Sequence, residues 1–177
     1  MWQKMIGDTR LVLTEGDITR AGTEAIVNAA NSHLAGGGGV DGAIHAAGGP
    51  EIMAECRRIG GCPTGQAVIT TGGQLPAAKV IHTVGPVYRG RPDDARLLAA
   101  CYTNSLELAA RHHLKSVAFP SISTGAYGYP LDQAARVALT AVRDWLRDHP
   151  GLLQEVRFVL FGRAALETYQ QAADQLV

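Results

Sequence analysis

Long apolar runs, cysteine pairs and net charge are all scarce in this chain of 177 residues, and each scarcity removes a class of function. No stretch approaches the roughly 18 apolar residues that a membrane helix needs, and the N-terminus MWQKMIGDTR carries no apolar h-region, so neither membrane insertion nor secretion is expected. The three cysteines, Cys56, Cys62 and Cys101, are odd in number and form no CxxC pair, which argues against a disulfide framework and suits a reducing cytoplasm. Sixteen basic and sixteen acidic residues leave a formal net charge of +0, so no global field draws the chain to nucleic acid or to anionic lipid. Familiar catalytic motifs are missing as well. There is no GK[ST] P-loop and no GxSxG elbow, which argues against a P-loop NTPase and an α/β serine hydrolase. His112 and His113 are adjacent rather than at helical ligand spacing, and without HExxH or a cysteine quartet no metal site is expected. Cys101 falls in an apolar helical stripe, while Cys56 and Cys62 have no evident base to activate them.

What remains is an ordinary globular composition, 46% hydrophobic and 18% charged, long enough for one domain over residues 1–177. Short β-branched runs alternate with longer amphipathic segments, the pattern of an α/β fold. LVLTEG (11–16), AIVNAA (25–30), QAVITTG (66–72), KVIHTVG (79–85), SVAFPS (116–121) and EVRFVLF (155–161) read as strands. Several are apolar on both faces, as strands covered by helices above and below should be. Helical spacing predicts helices over 94–113, 131–148 and 164–176, with short ones at 42–47 and 50–58, the latter opening on Pro50.

The segment from Asn28 to Pro50, NAANSHLAGGGGVDGAIHAAGGP, contains four consecutive glycines and no Lys or Arg. Gly37, Gly39 and Gly42 satisfy GxGxxG, but the glycines stand too far from the end of AIVNAA, and no acidic strand end follows at dinucleotide spacing. A glycine run does let the backbone approach a ligand and present successive N–H groups, and a helix start after it favours anions. A phosphate held here must therefore rest on main-chain amides such as those of Gly38, Gly39 and Val40. The missing cations also argue against nucleic-acid binding through this surface. Asp41 fits either an N-cap of the helix 42–47 or a residue facing a ribose or a water. A carboxylate at a helix N-terminus is a weak base at neutral pH unless something else polarises the water. His45 lies one turn further on the same face, where packing and catalysis are both open to it. Asn28 and Asn31 at the strand end serve either to turn the chain or to read ribose hydroxyls.

A second loop repeats the design. SVAFP leads into SISTGAYGYP (121–130), and again residues 116–135 carry no Lys or Arg. Two such loops at strand C-terminal ends match the crevice where open α/β sheets bind ligands, one phosphate to each loop. Ser121, Ser123 and Thr124 could equally bond their own backbone, while Tyr127, between two small residues, is placed to cover a sugar ring.

At these residues the chain resembles a known family. GDIT (16–19), AIVNAAN (25–31), GGGGVDGAIHAAGG (36–49), CPTGQAVIT (62–70), IHTVGPV (81–87) and AFPSISTGAYGYP (118–130) look like a macrodomain of the MacroD type, close to the bacterial O-acetyl-ADP-ribose deacetylases. The resemblance runs from about Gly16 to Ala141. It implies a three-layer α/β/α sandwich around a central mixed sheet that binds ADP-ribose, deacetylates O-acetyl-ADP-ribose and removes mono-ADP-ribose from acidic side chains of proteins. The implied partners are ADP-ribose, its esters and mono-ADP-ribosylated proteins, with no cofactor, no direct nucleic-acid contact and no membrane. By motif, Asp17 would bond the adenine amino group beside the Ile18 backbone, and Asn31 would hold the distal ribose with Asn28 supporting its loop. Asp41 would contact that ribose and orient a water, His45 would support the same corner, and the ligand's own phosphate would help polarise the water. The glycine loop, together with Ser121 and the run Ser123, Thr124, Gly125, Ala126 and Tyr127, would wrap the phosphates, and Phe161 would stack on adenine. Gln66 stands where relatives often carry His. Two other readings remain from the residues: an ADP-ribose reader without turnover and, on GxGxxG alone, an NAD-dependent oxidoreductase.

Overall fold

Apolar residues that alternate along a strand go to opposite faces of its sheet, and here that alternation sorts the interior into two layers. In the computed structural model, which describes all 177 residues, seven strands form one sheet: β1 (Trp2–Ile6), β2 (Thr9–Glu15), β3 (Ala25–Ala29), β4 (Ala67–Thr71), β5 (Lys79–Thr83), β6 (Ser116–Phe119) and β7 (Glu155–Leu160). Their order is β1-β2-β7-β6-β3-β5-β4. The inner strands β2, β7, β6, β3 and β5 run parallel, and β1 and β4 close the two edges antiparallel. Five helices connect them: α1 (Gly39–Gly48), α2 (Pro50–Ile59), α3 (Pro92–Arg111), α4 (Leu131–Asp148) and α5 (Arg163–Leu176). None is long and apolar enough to cross a membrane.

Val27, Val117, Phe119 and Phe158 pack with α3, α4 and α5 in one core around Tyr102, Leu139 and Tyr169. Ile26, Val80, Ala118 and Val159 turn the other way and pack with Ile44 of α1 and Ile52 and Cys56 of α2. The result is the α/β/α sandwich with a mixed sheet expected from the sequence. Burying an aliphatic side chain of this size stabilises by about 1.5–3 kcal/mol, so the two cores supply the main driving force for the fold.

Two features depart from the sequence reading. β1 was not expected, because Gln3, Lys4 and Met5 are all exposed and WQKMI shows no alternation. It is an edge strand, held by antiparallel register from Trp2↔Leu13 to Ile6↔Thr9. Second, α1 begins at Gly39 rather than Gly42, with Gly38 at the N-cap and no side-chain cap. Asp41 is therefore no N-cap but the third helical residue, buried against the sheet. Glycines have low helix propensity, so this first turn owes its form to packing of Ile44 and the bonds made by Asp41.

Candidate functional site

The loops that follow β3, β5 and β6 meet beyond the C-terminal ends of these strands, where a cavity of about 420 Å3 opens. Its wall is formed by Ala29 to Asn31, Gly37 to Asp41, Gly85, Ser121 to Ser123 and Gly125 to Tyr127, none of them Lys or Arg. Close backbone approach shapes it. A Cβ on Gly42 would lie 2.5 Å from the Gly37 carbonyl oxygen, and one on Gly85 would lie 2.2 Å from Ser123 Oγ, so the loops reach this geometry only with glycine at both positions.

Main-chain donors are the free hydrogen-bonding capacity of this wall. The first-turn amides of α1 have no intrahelical acceptor and no side chain caps them. The amides of Thr124, Gly125, Ala126 and Tyr127 likewise donate to no backbone acceptor. The serine and threonine hydroxyls of the second loop are already committed. Ser123, at φ 67°, donates from Oγ to the Pro86 carbonyl at 2.8 Å. Thr124 Oγ1 donates to Ser121 Oγ at 2.9 Å, and Ser121 Oγ meets the buried Tyr169 hydroxyl at 2.8 Å. Asn31 braces the first loop in the same way: its Nδ2 donates to Gly36 O at 2.9 Å and its Oδ1 accepts from Ala35 N at 3.1 Å.

Asp41 stands at the cavity wall, 7% exposed. Its Oδ1 accepts from Asn28 Nδ2 at 2.8 Å, and His45 Nε2 lies 3.3 Å from the same oxygen. His45 Nδ1 is buried without a partner. Behind Asn28 lies His82, which the sequence offered only as one polar residue in the strand KVIHTVG. Burial, with His45 nearby, pulls the His82 imidazole down to about 4 and keeps it neutral. His45, His82 and Cys56 bring three possible ligand atoms within 4.8 Å of one another. His82 has no lone pair to spare, however, because Nδ1 faces the Asn28 amide at 3.0 Å and Nε2 faces Thr70 Oγ1 at 2.9 Å. Burial pushes the Cys56 and Cys101 thiols up to about 11, so neither is a ready nucleophile.

The sequence-derived residues divide accordingly. Asn31, Gly38, Gly39, Val40, Asp41, Ser121, Ser123, Gly125, Ala126 and Tyr127 line the cavity. Asn28 and His45 stand behind it against Asp41, while Asp17, Ile18, Thr124 and Phe161 are not part of its wall. Asp17 Oδ1 accepts from Thr19 N at 3.0 Å and Thr19 Oγ1 at 2.7 Å, capping the short 3-10 turn Ile18–Arg20, and these bonds hold its carboxyl below the usual range. Phe161 is 90% exposed beside the strand end. Gln66 is exposed and bonds only through its main chain, to Pro63 O and Thr83 Oγ1. The GxGxxG match fails structurally: β3 ends at Ala29, and Gly39 and Gly42 lie inside α1 rather than in a strand-to-helix turn.

A Macro domain family model matches residues 27–138, from the strand that carries Asn28 into the helix after the second loop. The chain is a macrodomain. It is 56% identical over 159 residues to the macro domain-containing protein CT2219 of Chlorobaculum tepidum, covering 89% of this chain and 92% of that one. It is 50% identical over 163 residues to the ADP-ribose glycohydrolase MACROD2 of Xenopus laevis, covering 91% of this chain but 39% of that longer protein. Among solved structures, the Oceanobacillus iheyensis macrodomain with ADP superposes at a TM-score of 0.95 with 44% identity, covering 99% of this macrodomain and 95% of that chain. The Trypanosoma brucei macrodomain in complex with ADP-ribose superposes at 0.86 with 46% identity, covering 91% and 68%.

Proposed function

We propose that this macrodomain binds ADP-ribose in the cation-free cavity and hydrolyses ADP-ribosyl esters there. Its substrates are O-acetyl-ADP-ribose and mono-ADP-ribose on acidic side chains of proteins. Solved relatives named for ADP and ADP-ribose support the ligand class, and a relative named ADP-ribose glycohydrolase supports the reaction class. The observation that carries the hydrolase reading is Asp41: a carboxylate at the cavity wall, oriented from behind by the Asn28 amide and flanked by His45.

In this reading the diphosphate rests on the free amides of the two loops, and Tyr127 covers the distal ribose. Asp41 faces that ribose and orients a water, while a phosphate oxygen of the ligand helps to polarise the same water. For the acetyl ester, the water oxygen adds to the acetyl carbonyl and the ester C–O bond breaks. One water proton ends on the departing ribose oxygen, and acetate, ADP-ribose and the second proton leave. For a protein substrate, the ester between ribose and side-chain carboxyl is hydrolysed to the carboxylate and ADP-ribose. The first test is incubation with O-acetyl-ADP-ribose and with a Glu-linked ADP-ribosylated protein, following free ADP-ribose. Release from either supports the enzyme; tight binding with no release from both would leave a reader module instead.

A further inference from the structure

The sheet register places a buried histidine directly behind the Asp41 corner. β3 and β5 pair in parallel with Asn28 opposite His82, and both residues are wholly buried. Alternation along β5 turns Val80 toward α1 and α2, and His82, two residues on, shares its face. Donor and acceptor roles then follow without freedom. The Asn28 Nδ2 group carries only hydrogens to offer, so at 3.0 Å it must donate to His82 Nδ1, which is therefore unprotonated. The ring proton sits on Nε2 and goes to Thr70 Oγ1 at 2.9 Å, and the Thr70 hydroxyl donates onward to Thr71 O at 3.0 Å. The second Asn28 N–H reaches Asp41 Oδ1 at 2.8 Å.

The opposite amide orientation would turn the Asn28 carbonyl oxygen toward the Asp41 carboxylate, lone pair against charge. The orientation adopted leaves Asn28 Oδ1 buried with no partner. A buried acceptor left unsatisfied is uncommon and destabilising, and it is tolerated here while both Asn28 hydrogens stay on His82 and Asp41.

We propose that His82 is a positioning residue for Asp41, its Nδ1 lone pair holding the Asn28 amide so that the other Asn28 N–H fixes the carboxylate at the cavity wall. The inference rests on the hydrolase reading only where turnover is the readout. The titratable neighbours of His82 are Cys56 of α2, with Sγ 3.8 Å from Nε2, and His45 of α1, with ring centroids 6.1 Å apart. Asp41 is reached through Asn28. A neutral imidazole is required, since an imidazolium has no lone pair for the amide.

The test compares His82→Phe, which keeps an aromatic ring, somewhat larger, and removes both nitrogens, with His82→Asn, whose carbonyl oxygen can take the place of Nδ1. With O-acetyl-ADP-ribose, His82→Phe should lower kcat by about 10- to 100-fold while leaving the Kd for ADP-ribose within about threefold of wild type. His82→Asn should recover most of the loss. In parallel, side-chain NMR of the wild-type protein should show a proton on His82 Nε2 and none on Nδ1, and the Asp41 carboxyl carbon shift should move in His82→Phe and return in His82→Asn. A folded His82→Phe with unchanged kcat and an unmoved Asp41 shift would overturn the proposal, as would a proton on Nδ1 or an equal loss of kcat and binding that His82→Asn does not repair. If the wild-type protein releases no ADP-ribose, the hydrolase reading fails, and the NMR shifts alone decide the role of His82.

Discussion

The two loops that close the cavity present the same surface, main-chain amides without cations, but they are stiffened in opposite ways. The loop after β3 takes its amides from the uncapped first turn of α1 and is braced from behind, by Asn31 on Gly36 and Ala35 and by the buried pair Asn28 and His82 on Asp41. The loop after β6 is not itself a helix start, since α4 begins only at Leu131. It is stiffened by its own hydroxyls, through Ser123 to Pro86, Thr124 to Ser121 and Ser121 to Tyr169. The first brace contains titratable groups and the second contains none that ionises near neutrality, Tyr169 being pushed up to about 12 by burial. In the proposed reading, the polar side chains of both loops thus serve as scaffolding, and recognition of the diphosphate is left to the backbone.

The sharpest way to separate the two braces is pH. Held at about 4 in the fold against an ordinary 6.5, His82 makes the unfolded chain bind one more proton between those limits. The stability it secures is fully present above about pH 6.5 and is lost as the pH falls through the window, on the order of 3 kcal/mol in total. Denaturant unfolding at pH 7 and at pH 4.5 should show this slope, and His82→Phe should flatten it. A slope equal in wild type and variant would mean that His82 is not held neutral by the fold.

A substitution in the first loop comes next in size. Gly42→Ala sets a Cβ against the Gly37 carbonyl, and since that neighbour is backbone the glycine loop must shift. Overpacking of this kind costs about 1–3 kcal/mol, and ADP-ribose binding should weaken in step with it. Gly38→Ala, where nothing lies within 4 Å of the added carbon, should leave the melting temperature nearly unchanged. Comparable destabilisation by both variants would break the claim that close approach, rather than glycine content, shapes this loop.

The smallest effect belongs to the second loop. Ser123→Ala removes a buried hydroxyl that bonds Pro86 O and should cost about 1–2 kcal/mol of stability, with a parallel loss of ADP-ribose affinity as the loop slackens. A variant that loses affinity at unchanged stability would instead make Ser123 a direct ligand contact, and the contrast between the loops would fail.

Much of this could be read from the sequence because it is local or periodic. AIVNAA and SVAFP are short apolar runs without alternation, so their burial on both faces of the sheet follows from the residues alone, and the absence of Lys and Arg around both loops already pointed to main-chain recognition. What the sequence hid depends on distant partners. β1 is an edge strand supported by β2 and by residues distant in sequence, with Ile6 in the core and Trp2 Nε1 bonded to Asp174, so WQKMI has no pattern of its own. The start of α1 at Gly39 follows from burial of Asp41 and Ile44, not from propensity. The bond from the Ser123 hydroxyl to Pro86 O was hidden because Pro86 belongs to another loop. His82 went unread because its role needs the β3–β5 register; a lone histidine two residues after Val80, on the face of an apolar strand, was the signal available.

Asp41 decides between hydrolase and reader, so the measurement that bears most directly on the proposed function is a paired one on Asp41→Ala. The kcat for O-acetyl-ADP-ribose and the Kd for ADP-ribose are measured beside wild type at the same pH. Loss of a positioned acid-base group should lower kcat by about 10²- to 10⁴-fold, with Kd changed by less than about tenfold. A wild-type kcat in Asp41→Ala would contradict the role assigned to this carboxylate.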